Sequence, residues 1–142
     1  MNVNDIMTRP AISVGQDEPV AAAARLLRRH NIGSLPVTDI SGRLRGIVTD
    51  RDIALRCAIT DSNYGQIRVG EIMSRAVITA SPADSVEAAV RTMSLGQVRR
   101  LPIVSEGKIV GMLSLCDMAR SLECGAQAGQ ALTEISSNVK KL

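Results

Sequence analysis

The stretch "GIVTDRD", Gly46 to Asp52, holds a junction: Gly-Ile-Val-Thr reads as a buried strand ending on a hydroxyl, and Asp-Arg-Asp sets charge where a helix would open. The same grammar returns as "GMLSLCD", Gly111 to Asp117. Two such junctions at matching places ask for one explanation.

Sliding the chain along itself supplies it. At a shift of 66 residues, Val3 onto Val69, "VNDIMTRPAIS" lies over "VGEIMSRAVIT", "EPVAAAARLL" over "DSVEAAVRTM" and "SLPV" over "RLPI". One residue fewer in the second turn then brings "GIVTDRDIA" onto "GMLSLCDMA". The chain is read as two copies of one unit, residues 1–59 and 69–123, joined by a polar, turn-rich linker at 60–68 and followed by a tail at 124–142.

Each copy follows the same order. "AISV" and "VITA" are short strand candidates. Val20, Ala23, Ala24 and Leu27 then recur at the spacing of one helical face, and Val86, Ala89, Val90 and Met93 repeat it. Glu18 and Asp84 near the starts, and Arg28 and Arg29 near the end of the first helix, match the sign that the helix dipole favours. "SLPVT" and "LRGIVT" read as strands around "DISGR", "RLPIV" and "KIVGMLS" as strands around "SEGK", and second helices begin near Asp50 and Leu115. The unit is β-α-β-β-α, an α/β (α+β) arrangement. About 60 residues bury too little surface for comfortable stability alone, so the copies are expected to pack as a pair, to dimerise further, and to leave a cleft that suits a ligand.

Composition narrows the function. With 142 residues, 45% hydrophobic and 22% charged, the chain is ordinary globular protein. No apolar run approaches the roughly 20 residues that span a bilayer, and the N-terminus lacks a secretory pattern, so a cytoplasmic location is expected. Cys57, Cys116 and Cys124 have no CxxC spacing and His30 is the only histidine, which indicates neither a disulfide framework nor a metal site. The net charge of +3 is scattered and Tyr64 is the only aromatic, which argues against nucleic-acid binding. No nucleophile and base are paired, so no enzyme is expected.

The duplication, the element order and the Gly-apolar-apolar-Thr/Ser-x-x-Asp signature together resemble a CBS domain pair, over Val3 to Leu122. The resemblance implies a disc-like regulatory module, an energy-state sensor with no catalytic cofactor, that binds an adenine-containing ligand such as AMP, ADP, ATP, NAD or S-adenosylmethionine. It also implies that the adenine lies on apolar wall from Ile12, Ile32 and Pro36 in one half and Ile78, Val98 and Pro102 in the other. The chemistry of the junction agrees: Asp52 and Asp117 can accept from both hydroxyls of a ribose, and Thr49 and Ser114 can bond a ribose or phosphate oxygen. Free N–H groups at the helix start, with Arg51, offer a phosphate site.

The same residues have a purely structural reading. Thr49 with Asp52, and Ser114 with Asp117, each match a capping box, which needs no ligand and leaves a dimerising scaffold as the alternative function. The halves also differ in charge: Arg99 and Arg100 stand where the first copy has Gly33 and Ser34, and Cys116 stands where it has Arg51, so the two sites are expected to be inequivalent. In the tail, Ala128, Leu132, Ile135 and Val139 form an apolar stripe on an expected helix, suited to docking on its own domain or on a dimer mate.

Overall fold

The computed structural model describes residues 1–58, 63–121 and 125–138. In chain order the elements are α1 (Val3–Ile6), β1 (Val14–Gly15), α2 (Val20–His30), β2 (Ser34–Thr38), β3 (Leu44–Thr49), α3 (Asp50–Arg56), α4 (Val69–Ile72), α5 (Val86–Gly96), β4 (Arg100–Ser105), β5 (Lys108–Ser114), α6 (Leu115–Arg120) and α7 (Gly125–Ile135), the last followed by a 3-10 turn at Ser136–Asn138. Strands β2, β3 and β5 match their expected bounds, β4 runs one residue beyond "RLPIV", and α3 and α6 begin at Asp50 and Leu115 as expected.

Compactness divides the chain differently from sequence repetition. One unit gathers Ile12–Val77 with Gly107–Ile109, and so holds the first junction; the other gathers Met1–Ala11, Ile78–Glu106 and the described residues of Val110–Leu142, and holds the second. The opening segment of each repeat therefore folds with the other repeat's junction. The short helices α1 and α4, which open those segments, were not expected. Their local signal is an acid three residues into the turn: Asn2 N–H donates to Asp5 Oδ2 at 2.9 Å, and Arg68 N–H to Glu71 Oε2 at 2.6 Å.

In the first-junction unit β1, β2 and β3 form one sheet, β1 parallel and β3 antiparallel to the central β2. The core beneath it includes Val14, Val20, Ala23, Leu27, Leu35 and Val48. In the second-junction unit β4 pairs with β5, and Val86, Ala89, Val90, Met93, Leu101 and Leu113 are among the residues of its core. All four expected face residues of α5 are buried; on α2, Val20, Ala23 and Leu27 are buried and Ala24 is half-buried.

Two expectations need correction. "AISV" contributes only Val14 to a strand, and "VITA" only an isolated bridge from Ala80 to Ile103. The reason is a proline in each neighbouring strand. Ala80 N–H donates to Pro102 O and Val104 N–H to Ala80 O, so the edge at 102 and 104 faces this segment; Pro102 has no N–H to offer and pairing stops. Pro36 holds the equivalent place, and β1 pairs only beyond it, with Val37 and Thr38. Secondly, Glu18 and Asp84 bond the chain directly, where a dipole role was expected: Gly15 N–H donates to Glu18 at 2.7 Å and Ser81 N–H to Asp84 at 2.9 Å.

Helices α2 and α5 both stop on a left-handed residue, Asn31 at φ 52° and Gln97 at φ 55°. The next N–H in each, on Ile32 and Val98, returns to the carbonyl of Leu27 or Met93, and both side chains pack back on their cores. The hairpin turn between β4 and β5 is two residues, Glu106 and Gly107, both at positive φ, as a turn that follows strand twist requires. The longer first turn is organised by Asp39, which accepts from the N–H of Ser41 and Arg43 and from Arg45 Nε. Desolvation pushes the Asp39 carboxyl up, but these bonds outweigh it and hold it below the usual carboxylate range.

The tail helix α7 packs on α5 and α6. Its buried residues are Ala128, Ala131 and Ile135; Leu132, expected in the stripe, is 46% exposed, and Val139 lies outside the described residues. Ala131 takes the place of Leu132 because packing against two helices draws on a face one position over.

Candidate functional site

Each junction is built by a strand that ends on a hydroxyl. At the first, Asp52 N–H donates to Thr49 Oγ1 at 3.0 Å and Thr49 N–H donates to Asp52 Oδ2 at 2.9 Å. At the second, Asp117 N–H donates to Ser114 Oγ at 3.1 Å and Ser114 N–H to Asp117 Oδ2 at 2.8 Å. Both are complete capping boxes, so the hydroxyls and acids serve the helix starts whatever else they do.

The expected free N–H groups are not free at the first junction. Asp50 N–H donates to Gly33 O, Arg51 N–H to Asp50 Oδ1 and Asp52 N–H to Thr49, so the opening turn of α3 has spent its donors inside the chain. Any anion there must be held by the Arg51 side chain, which is exposed.

The strand pairing sets the remaining candidates beside their junctions. Ser34 pairs with Thr49 and Pro36 with Ile47, which brings the start of β2 alongside the first junction, and Ile12 and Ile32 pack half-buried against the same core. In the other unit Leu115 N–H donates to Arg99 O, which places Arg99 and Arg100 beside Ser114. Val98 packs half-buried on that unit's core, and Ile78 is 37% exposed above Gly96, where a Cβ would meet its Cδ1. Pro36 and Pro102 are buried in their strands and offer the least accessible surface of the six residues expected to form the adenine wall.

Sequence reasoning missed the residues that cross each motif glycine. Thr8 exchanges backbone bonds with Met112, and Ser74 with Ile47. A Cβ on Gly46 would stand 2.6 Å from the Ser74 carbonyl oxygen, and one on Gly111 would stand 2.9 Å from that of Thr8. Glycine opens the signature because a second backbone passes there. Thr8 adds a side-chain bond, its hydroxyl donating to Asp117 Oδ1 at 2.9 Å. The repeated "IMT" and "IMS" of the two copies were the available signal.

Two concavities lie elsewhere in the first-junction unit. A polar one of about 570 Å3 includes Gln16, Gln66, Arg68 and Arg75 in its lining. An apolar groove of about 540 Å3 runs along α2 and α3, lined in part by Ala24, Leu27, Ile53, Ala54 and Tyr64.

Duplicated strand-helix junctions on small sheets define a tandem-repeat module, and comparison with known proteins gives the family. The chain belongs to the CBS domain family, which matches residues 3–58 and 69–123. It is 40% identical over 135 residues, 95% of either chain, to the CBS domain-containing protein YhcV of Bacillus subtilis, and 34% identical over 118 residues to hypoxic response protein 1 of Mycobacterium tuberculosis, covering 83% of this chain and 82% of that one. Among solved structures it resembles the CBS domain pair of protein MJ0100, in complex with 5′-methylthioadenosine and S-adenosyl-L-methionine, at TM-score 0.74 and 33% identity over 84% of this chain and 94% of that one. It also resembles Hypoxic Response Protein I with two coordinated zinc ions, at TM-score 0.79 and 33% identity, covering 86% and 99%. Among the described residues here, no three His, Cys, Asp or Glu side chains gather to hold a metal ion. No helix among them is long and apolar enough to cross a membrane.

Proposed function

We propose that this chain is a regulatory module that binds an adenine-containing ligand, one of AMP, ADP, ATP, NAD or S-adenosylmethionine, at its strand-helix junctions. The observation that carries the reading is the duplicated hydroxyl-carboxylate pair, held at a strand end in a CBS pair whose solved relative carries two adenosyl ligands. A ribose would bond Asp52 or Asp117 together with Thr49 or Ser114; phosphates would meet Arg51 in one unit and Arg99 and Arg100 in the other. The adenine would lie against Ile12, Ile32 and Pro36, or Ile78, Val98 and Pro102. Ligand can act only by favouring one arrangement of the module over another, since equal affinity shifts no equilibrium. The output is read by a regulated protein or by the state of a homodimer.

Titration calorimetry with the five adenine ligands and guanine controls tests this. The expected result is micromolar binding of at least one adenine ligand, no heat from the guanine ones, and affinity reduced at least tenfold in Asp52→Ala/Asp117→Ala at retained fold. Silence across the panel would favour the scaffold reading, in which the capping boxes are the whole purpose of the motif.

A further inference from the structure

The two junctions share a motif but not a hydrogen-bond balance. Asp117 has both carboxylate oxygens engaged: Oδ2 accepts from the Ser114 N–H at 2.8 Å and the Ser114 hydroxyl at 2.9 Å, and Oδ1 accepts from the Thr8 hydroxyl at 2.9 Å. Asp52 has one engaged. Its Oδ2 accepts from Thr49 N–H, while among the described residues Oδ1 meets Arg56 Nε at 3.8 Å, beyond hydrogen-bond reach; Arg56 Nη1 also donates to Ile72 O at 2.7 Å. Ser74, which the repeat aligns with Thr8, makes no bond to Asp52 among the described residues.

We infer that Thr8 is a specificity-determining residue that closes the second junction, so that the module takes its adenosyl ligand first, and about tenfold more tightly, at Asp52. The inference rests on the ligand-binding reading above and adds which half binds and what decides it. A ribose arriving at Asp52 finds an acceptor with an open lone pair. One arriving at Asp117 finds three of about four acceptor positions already taken, and must compete at Oδ1 with a charge-assisted bond that resembles the one it would make, so it gains less there. Thr8 is well placed for this role because its backbone is fixed independently of its hydroxyl, by bonds in both directions with Met112.

The probe is 5′-methylthioadenosine, which carries no phosphate and so removes the arginines from the comparison. Calorimetry of the full chain is expected to show one tight site and a second about tenfold weaker. Asp52→Asn is expected to remove the tight site. Thr8→Val, which keeps the backbone bonds and the branched shape, is expected to tighten the weaker site about five- to tenfold, and Thr8→Ser to leave it weak. Two equal sites in the parent chain, or no change in Thr8→Val, would overturn the inference while leaving the ligand-binding reading in place. A parent chain silent to every adenine ligand overturns both. Independently of ligand, urea unfolding of Thr8→Val, Asp117→Asn and the double variant is expected to show coupling between the two positions; purely additive effects would show that the bond closes nothing.

Discussion

At Gly46 and Gly111 the missing side chain is the function of the residue. An alanine at either would drive its methyl into a backbone carbonyl, at 2.6 Å from Ser74 O or 2.9 Å from Thr8 O, and neither carbonyl can turn away without giving up its bridge. Gly46→Ala and Gly111→Ala are each expected to cost about 1–3 kcal/mol, the usual penalty of overpacking, measured by urea unfolding. The two cysteines among the described residues separate on burial. Cys57 is fully buried and its burial pushes the thiol up, whereas Cys116 is exposed. Iodoacetamide at neutral pH is therefore expected to modify Cys116 in the folded protein and to reach Cys57 only in denaturant, as intact-mass and peptide analysis would show. At this scale the sequence reveals the kind of residue better than its partner. Thr49, Asp52, Ser114 and Asp117 are legible because each pair is three residues apart; Thr8 is not, because its partner lies 109 residues away.

The elements that were legible are those whose information is local. Helical faces repeat within two turns and hairpin turns declare themselves by glycine, so α2, α5 and the strands β2 to β5 could be read directly. The first strand of each repeat could not, since its length depends on a proline in a strand it has yet to meet. The tail helix shows the same limit: its apolar content was legible, but which face packs was decided by α5 and α6 together. That docking also carries a titration. The Ser94 hydroxyl, then the Gln130 side chain, hold the Glu134 carboxyl below its ordinary value of 4.5 despite slight desolvation. Because the folded value lies below the unfolded one, the contribution is complete above pH 4.5 and is lost as pH falls through the folded value. Glu134→Gln is thus expected to lower the melting temperature at pH 7, by a margin that shrinks as pH falls below 4.5.

Taken whole, the chain treats its two helical faces differently. In the second-junction unit α7 covers α5 and α6, burying Val90, Met93 and Met118 in a core with Ala131 and Ile135. In the first-junction unit no described helix covers the apolar groove along the corresponding helices α2 and α3, and Leu55 on α3 is 46% exposed. A second copy of the chain is the occupant that the expected homodimer calls for. Ala54→Glu, a charge placed in that groove, is expected to shift sedimentation from dimer to monomer without loss of helix content; an unchanged sedimentation coefficient would move the dimer interface elsewhere.

The division of the chain into units that each borrow the other repeat's opening segment also bears on how the protein is made. Thr8 leaves the ribosome 109 residues before Asp117, its side-chain partner. At synthesis rates of about 5–20 residues per second, the segment that carries Val3 and Thr8 waits roughly 5–20 s with its apolar face uncovered before its binding surface exists. During that interval its core partners do not yet exist, and the second-junction unit cannot close until the second repeat has been made.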